Sequence, residues 1–269
     1  MSDPAWLPSV RGLIIDLDGV LWRGAQPLPG LQPFFGTLRQ RRLPFVLATN
    51  NATAAPARVA ERLAGYGVRV DAREVLTSSE AAAALLRQRF PAGTPVLPVG
   101  EAGLRAALAE AGFELLDHAD GAEAVVVALD RSLTWGLLTE ACLAIRAGAL
   151  FVGANPDVTF PTERGLAPGS GALLAAIQAA TGTAPLIVGK PEPPLFQAAL
   201  ARLGLPAEVV LAVGDRLETD ILGAQRAGLR TALVLTGVTA PDELARSPLR
   251  PDGVFQDLPD LTRALAAAA

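Results

Sequence analysis

Cysteine, histidine and lysine are nearly missing from this chain: each occurs once among 269 residues, as Cys142, His118 and Lys190. One cysteine excludes an internal disulfide framework, which leaves a cytoplasmic protein as the expectation. No apolar run approaches the length of a membrane span; stretches such as Ala124–Leu129 are strand-sized. The N-terminal residues carry Asp3 and lack the basic-then-apolar order of a secretion signal. Net charge is −4 with no basic stripe or tail, so neither nucleic acid nor membrane is expected as a partner. No fixed-period repeat is present, and the one biased stretch is the alanine-rich C-terminus.

Scarcity also picks out residues. Asparagine occurs only as Asn50, Asn51 and Asn155, and every basic residue except Lys190 is arginine. A genome biased against AT-rich codons accounts for the scarcity. Under that bias, a surviving lysine or asparagine marks a place where arginine or aspartate does not serve. His118 lies among Asp117, Asp120 and Gly121 and reads as a surface loop residue, while Cys142 falls on an apolar helical pattern and reads as core.

What is abundant is alternation. Short apolar runs at 11–15, 44–48, 186–188, 208–213 and 231–235 read as strands, and patterns at 30–41, 54–65, 194–203 and 218–227 read as helices. Continuous apolar strands separated by helices predict a parallel sheet covered on both faces, a doubly wound α/β core. The middle has its own alternation, with strands at 96–99, 124–129 and 150–154 and helices at 101–111, 134–147 and 170–181. The expected organisation is therefore a core of 1–79 and 184–269 interrupted by an inserted α/β domain at 80–183.

In parallel sheets, ligands bind beyond the carboxyl ends of the strands. The core strands are followed by Asp16-Leu17-Asp18-Gly19-Val20, Thr49-Asn50-Asn51, Gly189-Lys190-Pro191 and Gly214-Asp215-Arg216-Leu217-Glu218-Thr219-Asp220. Turn chemistry alone explains one or two such ends, but not three carboxylates, a hydroxyl and the sole lysine together. Asp16, Asp18 and Asp215 cannot crowd together without a cation. Carboxylates with no His or Cys beside them suit Mg²⁺, which takes one or two carboxylates plus phosphate oxygens. Lys190 adds a compact positive charge, and Thr49 with Asn50 adds neutral donors, a cradle for a phosphoryl group. One of the carboxylates can then attack as nucleophile.

These four segments resemble, in order, the four motifs of the haloacid dehalogenase superfamily. The run Asp16–Gly24 (DLDGVLWRG) is similar to the subfamily of NagD-like, para-nitrophenylphosphate, phosphoglycolate and pyridoxal phosphate phosphatases. Gly153-Ala154-Asn155-Pro156-Asp157 and Lys190-Pro191-Glu192-Pro193 fit as well. The resemblance implies a Mg²⁺-dependent phosphatase acting on small-molecule phosphate esters through an aspartyl phosphate on Asp16. It implies Asp18 as general acid and base, its backbone carbonyl a metal ligand beside Asp16 and Asp215. Thr49, Asn50 and Lys190 would hold the phosphoryl oxygens, and Asp220 would act on the metal through water. It also implies that the insert is a large cap, through which two copies of the chain are expected to pair.

Discrimination among leaving groups is expected from the insert, the only segment large enough to supply it. Asn155 and Asp157, after one of its strands, and Arg131, after another, are the candidate specificity residues. A phosphomutase would share the core. A dehalogenase would need neither Mg²⁺ nor Asp18, and a receiver domain would be about half as long. Gly169-Ser170-Gly171 lacks the third glycine of a dinucleotide turn, and Gly189-Lys190 lacks the glycine spacing of a P-loop. The lysine count generates a first prediction. Lys190→Arg keeps the charge but replaces a point ammonium with a planar fork. Steady-state kinetics and melting should show a large loss of turnover with little loss of stability, and wild-type kinetics would make Lys190 incidental.

Overall fold

The strand Gly12–Ile15 carries no polar side chain and is buried at every position, so it must be covered on both faces. In the computed structural model, which describes residues 5–268 and leaves Asp3 and Ala269 outside them, it is an inner strand of a six-stranded sheet. The order across that sheet is Gly253–Phe255, Arg230–Val234, Val210–Gly214, Gly12–Ile15, Phe45–Thr49 and Val75–Thr77. Gly12–Ile15 runs parallel to both neighbours, with Ile15 level with Val213 on one side and Leu47 on the other. The next strands of the chain lie to one side of it and the last three to the other. It therefore stands at the topological switch point, where doubly wound folds bind ligands.

The helix Leu31–Gln40 shows how the sheet is covered. Leu31, Phe34, Phe35 and Leu38 fall at helical spacing and are all buried. Phe35 meets Phe34 and Phe45 edge-on, with ring centroids 5.6 and 5.1 Å apart. Burying side chains of this size contributes about 1.5–3 kcal/mol each, which fixes the helix against this sheet face.

The chain forms two compact units. One comprises the chain to Thr49, Pro56–Leu76 and the chain from Lys190; the other comprises Asn50–Ala55 and Thr77–Gly189. The second holds a five-stranded, all-parallel sheet in the order Leu186–Ile187, Leu150–Gly153, Ala124–Val127, Pro95–Val99 and Glu114–Leu115. Its entry helix, Ser78–Arg87, is fixed by Thr77, whose hydroxyl accepts from the Glu80 N–H while Glu80 reaches back to the Thr77 N–H, a reciprocal cap.

One expectation is corrected here. The run 186–188 reads as a strand of the main sheet, yet Leu186–Ile187 pairs with Val152 and Gly153 in the second unit's sheet. A short apolar run fits either sheet, and only its partner decides. Lys190 is thus delivered by the chain's return to the first unit and not by a strand of the main sheet. The expected helix at 218–227 is a widened π-helical turn, Leu217–Ile221, running into a short α-helix, Leu222–Arg226. The pattern reading also passed over the hairpin Thr159–Thr162 with Gly165–Pro168, and the closing strand and helix Gly253–Phe255 and Leu258–Ala267. His118 is exposed, and Cys142 packs partly buried against the second unit's core. Among the described residues, no helix is long and apolar enough to cross a membrane.

Candidate active site

The register of the main sheet sets the site. Asp16 follows Ile15 and donates its N–H to the carbonyl of Val213 at 2.9 Å, which seats it beside the end of Val210–Gly214. Lys190, 4% exposed, reaches this edge from its own loop. Its ammonium donates to Asp16 Oδ1, to Asp220 Oδ1 at 2.7 Å and to the Ala48 carbonyl at 3.3 Å. Thr49, also buried, ends the neighbouring strand.

Asp220 owes its place to the widened turn. The Ile221 N–H bonds back five residues to the Arg216 carbonyl at 3.2 Å. The turn aims Asp220 Oδ2 at the N–H groups of Asp215, at 3.3 Å, and Arg216, at 3.1 Å. Such turns recur at functional sites because they re-aim a side chain. Gly214 makes room, since a Cβ there would run into the Asp220 side chain.

Asp215 is 1% exposed, and its Oδ2 accepts from the Val238 N–H at 2.7 Å. Gly237 and Gly19 both press their backbone against this carboxylate, and Gly19 does so at φ +82°, where a side chain would be strained as well as obstructed. The loop Thr236–Thr239 is a part of the site that the sequence reading missed. Thr236 Oγ1 donates to the Gly19 carbonyl at 2.6 Å and Thr239 Oγ1 accepts from the Leu217 N–H at 3.2 Å. The signal was available: this loop follows the strand at 231–235, another carboxyl end on the same sheet.

Carboxylate oxygens of Asp16, Asp215 and Asp220 lie within 4.8 Å of one another. The electrostatics register the crowding. Burial pushes the Asp16 carboxyl well above its ordinary range; Lys190 draws it down, while Asp220 and Asp215 push it further up. Burial, then Asp220, raises Asp215 from 3.8 to about 6 against the opposing Val238 N–H. Burial disfavours the Lys190 charge too, but Asp16 and Asp220 outweigh it and hold the ammonium protonated above the usual lysine value. With all four groups ionised, three carboxylates and one ammonium leave an excess of two negative charges. The donors are hard oxygens with no nitrogen or sulfur among them. That donor set fits Mg²⁺.

The carboxylate of Asp18 stands outside this cluster. It is exposed, and Oδ1 accepts from the indole N–H of Trp22 at 2.8 Å. Asp220, expected to act on the metal through water, lies within the cluster, with one oxygen given to Lys190 and the other to backbone amides.

The remaining candidates belong to the second unit. Asn155 is buried; its amide donates to the Asn50 carbonyl at 2.8 Å, and its Oδ1 accepts from the Asp157 N–H at 3.2 Å. Asp157 Oδ2 accepts from the Asn50 amide at 3.4 Å. Ser78 Oγ also donates to the Asn50 carbonyl, at 2.7 Å. The guanidinium of Arg131 grips both oxygens of Glu101, at 2.6 and 2.7 Å. Asn155 and Arg131 thus spend polar groups inside their own unit.

Burial changes half of the expectation for Lys190→Arg. An arginine has to enter a site with almost no exposed surface, so that exchange lowers the melting temperature as well as turnover.

Comparison with known proteins places these features in a family. A haloacid dehalogenase-like hydrolase model matches residues 13–114, and a HAD-hydrolase-like model matches residues 187–261. A 5'-nucleotidase, YutF, of Bacillus subtilis is 35% identical over 252 residues, covering 94% of this chain and 97% of its own. The structure of a p-nitrophenyl phosphatase from Archaeoglobus fulgidus superposes with a TM-score of 0.89 at 35% identity, over 95% of this chain and 99% of that one. A glycerol phosphate phosphatase from Mycobacterium tuberculosis, solved in complex with magnesium, gives 0.86 at 41% identity, over 96% of this chain and 77% of that one.

The cluster generates a linkage prediction. Asp215 has a folded pKa of about 6 against an ordinary 3.8. Its contribution to metal-free stability is therefore fully present below the ordinary value and is lost as pH rises through about 6. Mg²⁺ competes with that proton. The melting increment on adding Mg²⁺ should grow from pH 5 to pH 7.5, and Asp215→Asn should abolish the difference while melting no lower than metal-free wild type at pH 7.5. Differential scanning fluorimetry reads both, and an increment independent of pH would contradict the assignment.

Proposed function

The chain belongs to the haloacid dehalogenase-like hydrolases, and from that premise we propose that it is a magnesium-dependent phosphatase of small phosphate monoesters that works through an aspartyl phosphate on Asp16. The observation carrying this reading is the ammonium of Lys190 shared between Asp16 and Asp220 inside a buried three-carboxylate cluster. Such a group neutralises a dianionic phosphoryl ester and keeps the attacking carboxylate oriented.

In this reading Asp16 and Asp215, with the backbone carbonyl of Asp18, would hold the metal, and Asp220 would act on it through water. When bound, the cation supplies Lewis-acid neutralisation of the carboxylates and the phosphoryl oxygens. Lys190 ties Asp16 Oδ1, which directs the other oxygen to phosphorus. As that oxygen bonds to phosphorus, the bond to the leaving oxygen breaks, and a proton from Asp18 goes to the departing alcohol. Asp18, now ionised, takes a proton from water. The resulting hydroxide-like oxygen attacks phosphorus, the Asp16 bond breaks and inorganic phosphate leaves. Thr49 and Asn50, adjacent in sequence, hold the phosphoryl oxygens throughout.

Selection of the leaving group is assigned to the inserted domain, the residues expected at 80–183. Its three candidates for substrate contact remain Asn155, Asp157 and Arg131, of which Asn155 and Asp157 also bond to Asn50 and Arg131 to Glu101. A homodimer formed through the same domain belongs to the proposal. Its support is Trp135, 82% exposed at the head of the helix Trp135–Arg146. Sedimentation of Trp135→Glu should then show monomer where wild type shows dimer. A reducing, cytoplasmic setting suits the single cysteine.

Asp16→Asn decides the mechanism. It should retain the fold by circular dichroism and lose para-nitrophenyl phosphate hydrolysis by about four decades or more, the scale of losing a nucleophile. Hydrolysis near the wild-type rate would overturn the covalent route.

A further inference from the structure

The geometry points to Trp22 as a positioning residue for the general acid: its indole N–H fixes the plane of the Asp18 carboxyl and so where it delivers a proton. This inference rests on the acid–base reading of Asp18 and extends it.

Asp18 is exposed, outside the cluster of Asp16, Asp215 and Asp220. An exposed carboxyl with no partner samples several rotamers and delivers a proton from few of them. Among the described residues, the Asp18 carboxylate has one side-chain partner, the Trp22 Nε1–H at 2.8 Å from Oδ1. An indole N–H donates and never accepts. Oδ1 is therefore held as the acceptor of this bond. The bond fixes the carboxyl plane and aims Oδ2 away from the indole. When Asp18 is ionised, the same bond holds the plane for the return transfer from water.

The indole is itself tightly held. Trp22 is 2% exposed. Its carbonyl accepts from the Gly19 N–H at 2.7 Å and its N–H donates to the Leu17 carbonyl at 3.4 Å, so the turn bearing Asp18 closes on the residue that grips it. Over the ring lies the Arg62 guanidinium, 4.2 Å from the centroid. Arg62 is fixed in turn by the Gly24 carbonyl and by Tyr66 Oη at 3.1 Å, and Tyr66 Oη donates to the Ala25 carbonyl at 2.7 Å. A cation on the ring face draws density from the indole, which strengthens its N–H as a donor. A ring present only to fill space needs neither the hydrogen bond nor the guanidinium.

Leaving-group dependence separates positioning from packing. An alkyl oxygen needs a proton to depart, whereas para-nitrophenolate departs unaided. Trp22→Phe keeps an aromatic ring and removes the donor. Its kcat/KM should fall about tenfold or more on ethyl phosphate and less than about threefold on para-nitrophenyl phosphate. Arg62→Met, which leaves the indole in place, should show the same bias more weakly and decides the matter if Trp22→Phe does not fold. Asp18→Asn is measured beside them. If Asp18→Asn is selective against ethyl phosphate while the folded Trp22 and Arg62 variants lose both substrates equally, or neither, Trp22 is packing and the inference fails with the role of Asp18 intact. If Asp18→Asn itself shows no selectivity, the acid–base reading fails and the inference with it.

Discussion

The ammonium of Lys190 is placed between two aspartates with almost no water to share the charge. Taking an ion out of water costs several kcal/mol after relaxation, and this edge of the sheet gathers four ions. The ammonium and the carboxylates of Asp16 and Asp220 compensate each other, while the three carboxylates oppose one another. Lys190 stabilises Asp16 and Asp220, backbone amides absorb the rest of Asp220, and the Val238 N–H offsets part of the charge on Asp215. The remainder, two negative charges, is what a divalent cation balances. A cluster with that excess is unsatisfied without a cation, a local cost to stability of the kind that activity commonly exacts.

Much of the surrounding architecture follows from that crowding. Asp16 and Asp215 come within reach because two parallel strands are in register, Ile15 beside Val213. Gly19, Gly214 and Gly237 stand where a Cβ would strike Asp215 or Asp220. The π-helical turn Leu217–Ile221 forgoes regular helix geometry to send Asp220 back toward the amides it accepts from. Local departures from ideal structure collect where function requires them.

The second unit carries a polar arrangement of another kind. Asn155 and Ser78 both donate to one carbonyl, that of Asn50, and Ser79 Oγ donates to the Ala52 carbonyl at 2.9 Å. Residues 50–55 are flanked in sequence by first-unit residues, yet they pack with the second. The chain passes between units four times, and two of these passages, Thr49–Asn50 and Gly189–Lys190, fall on segments that carry proposed phosphate-binding residues.

The sequence by itself determined the fold class, the two alternating patterns and the identity of the charged strand ends. These depend on local periodicity and on which residues follow apolar runs, and both are written linearly. Scarcity sharpened the reading: the lone lysine proved to be the buried cation, and Asn155 proved to hold the loop of Asn50. Tertiary structure alone decided partnership. The run 186–188 fits either sheet, and only pairing with Leu150–Gly153 assigned it. Which carboxylates crowd together was also undecided: the widened turn brings Asp220 to Asp16 and Asp215, while the Asp18 carboxylate lies outside and bonds to the Trp22 indole. The Thr236–Thr239 loop has no charged residue to announce it, and its hold on Asp215 and Gly19 acts across more than 20 residues of chain. Hydrogen bonds of that range are set by sheet order and register, which no single strand encodes.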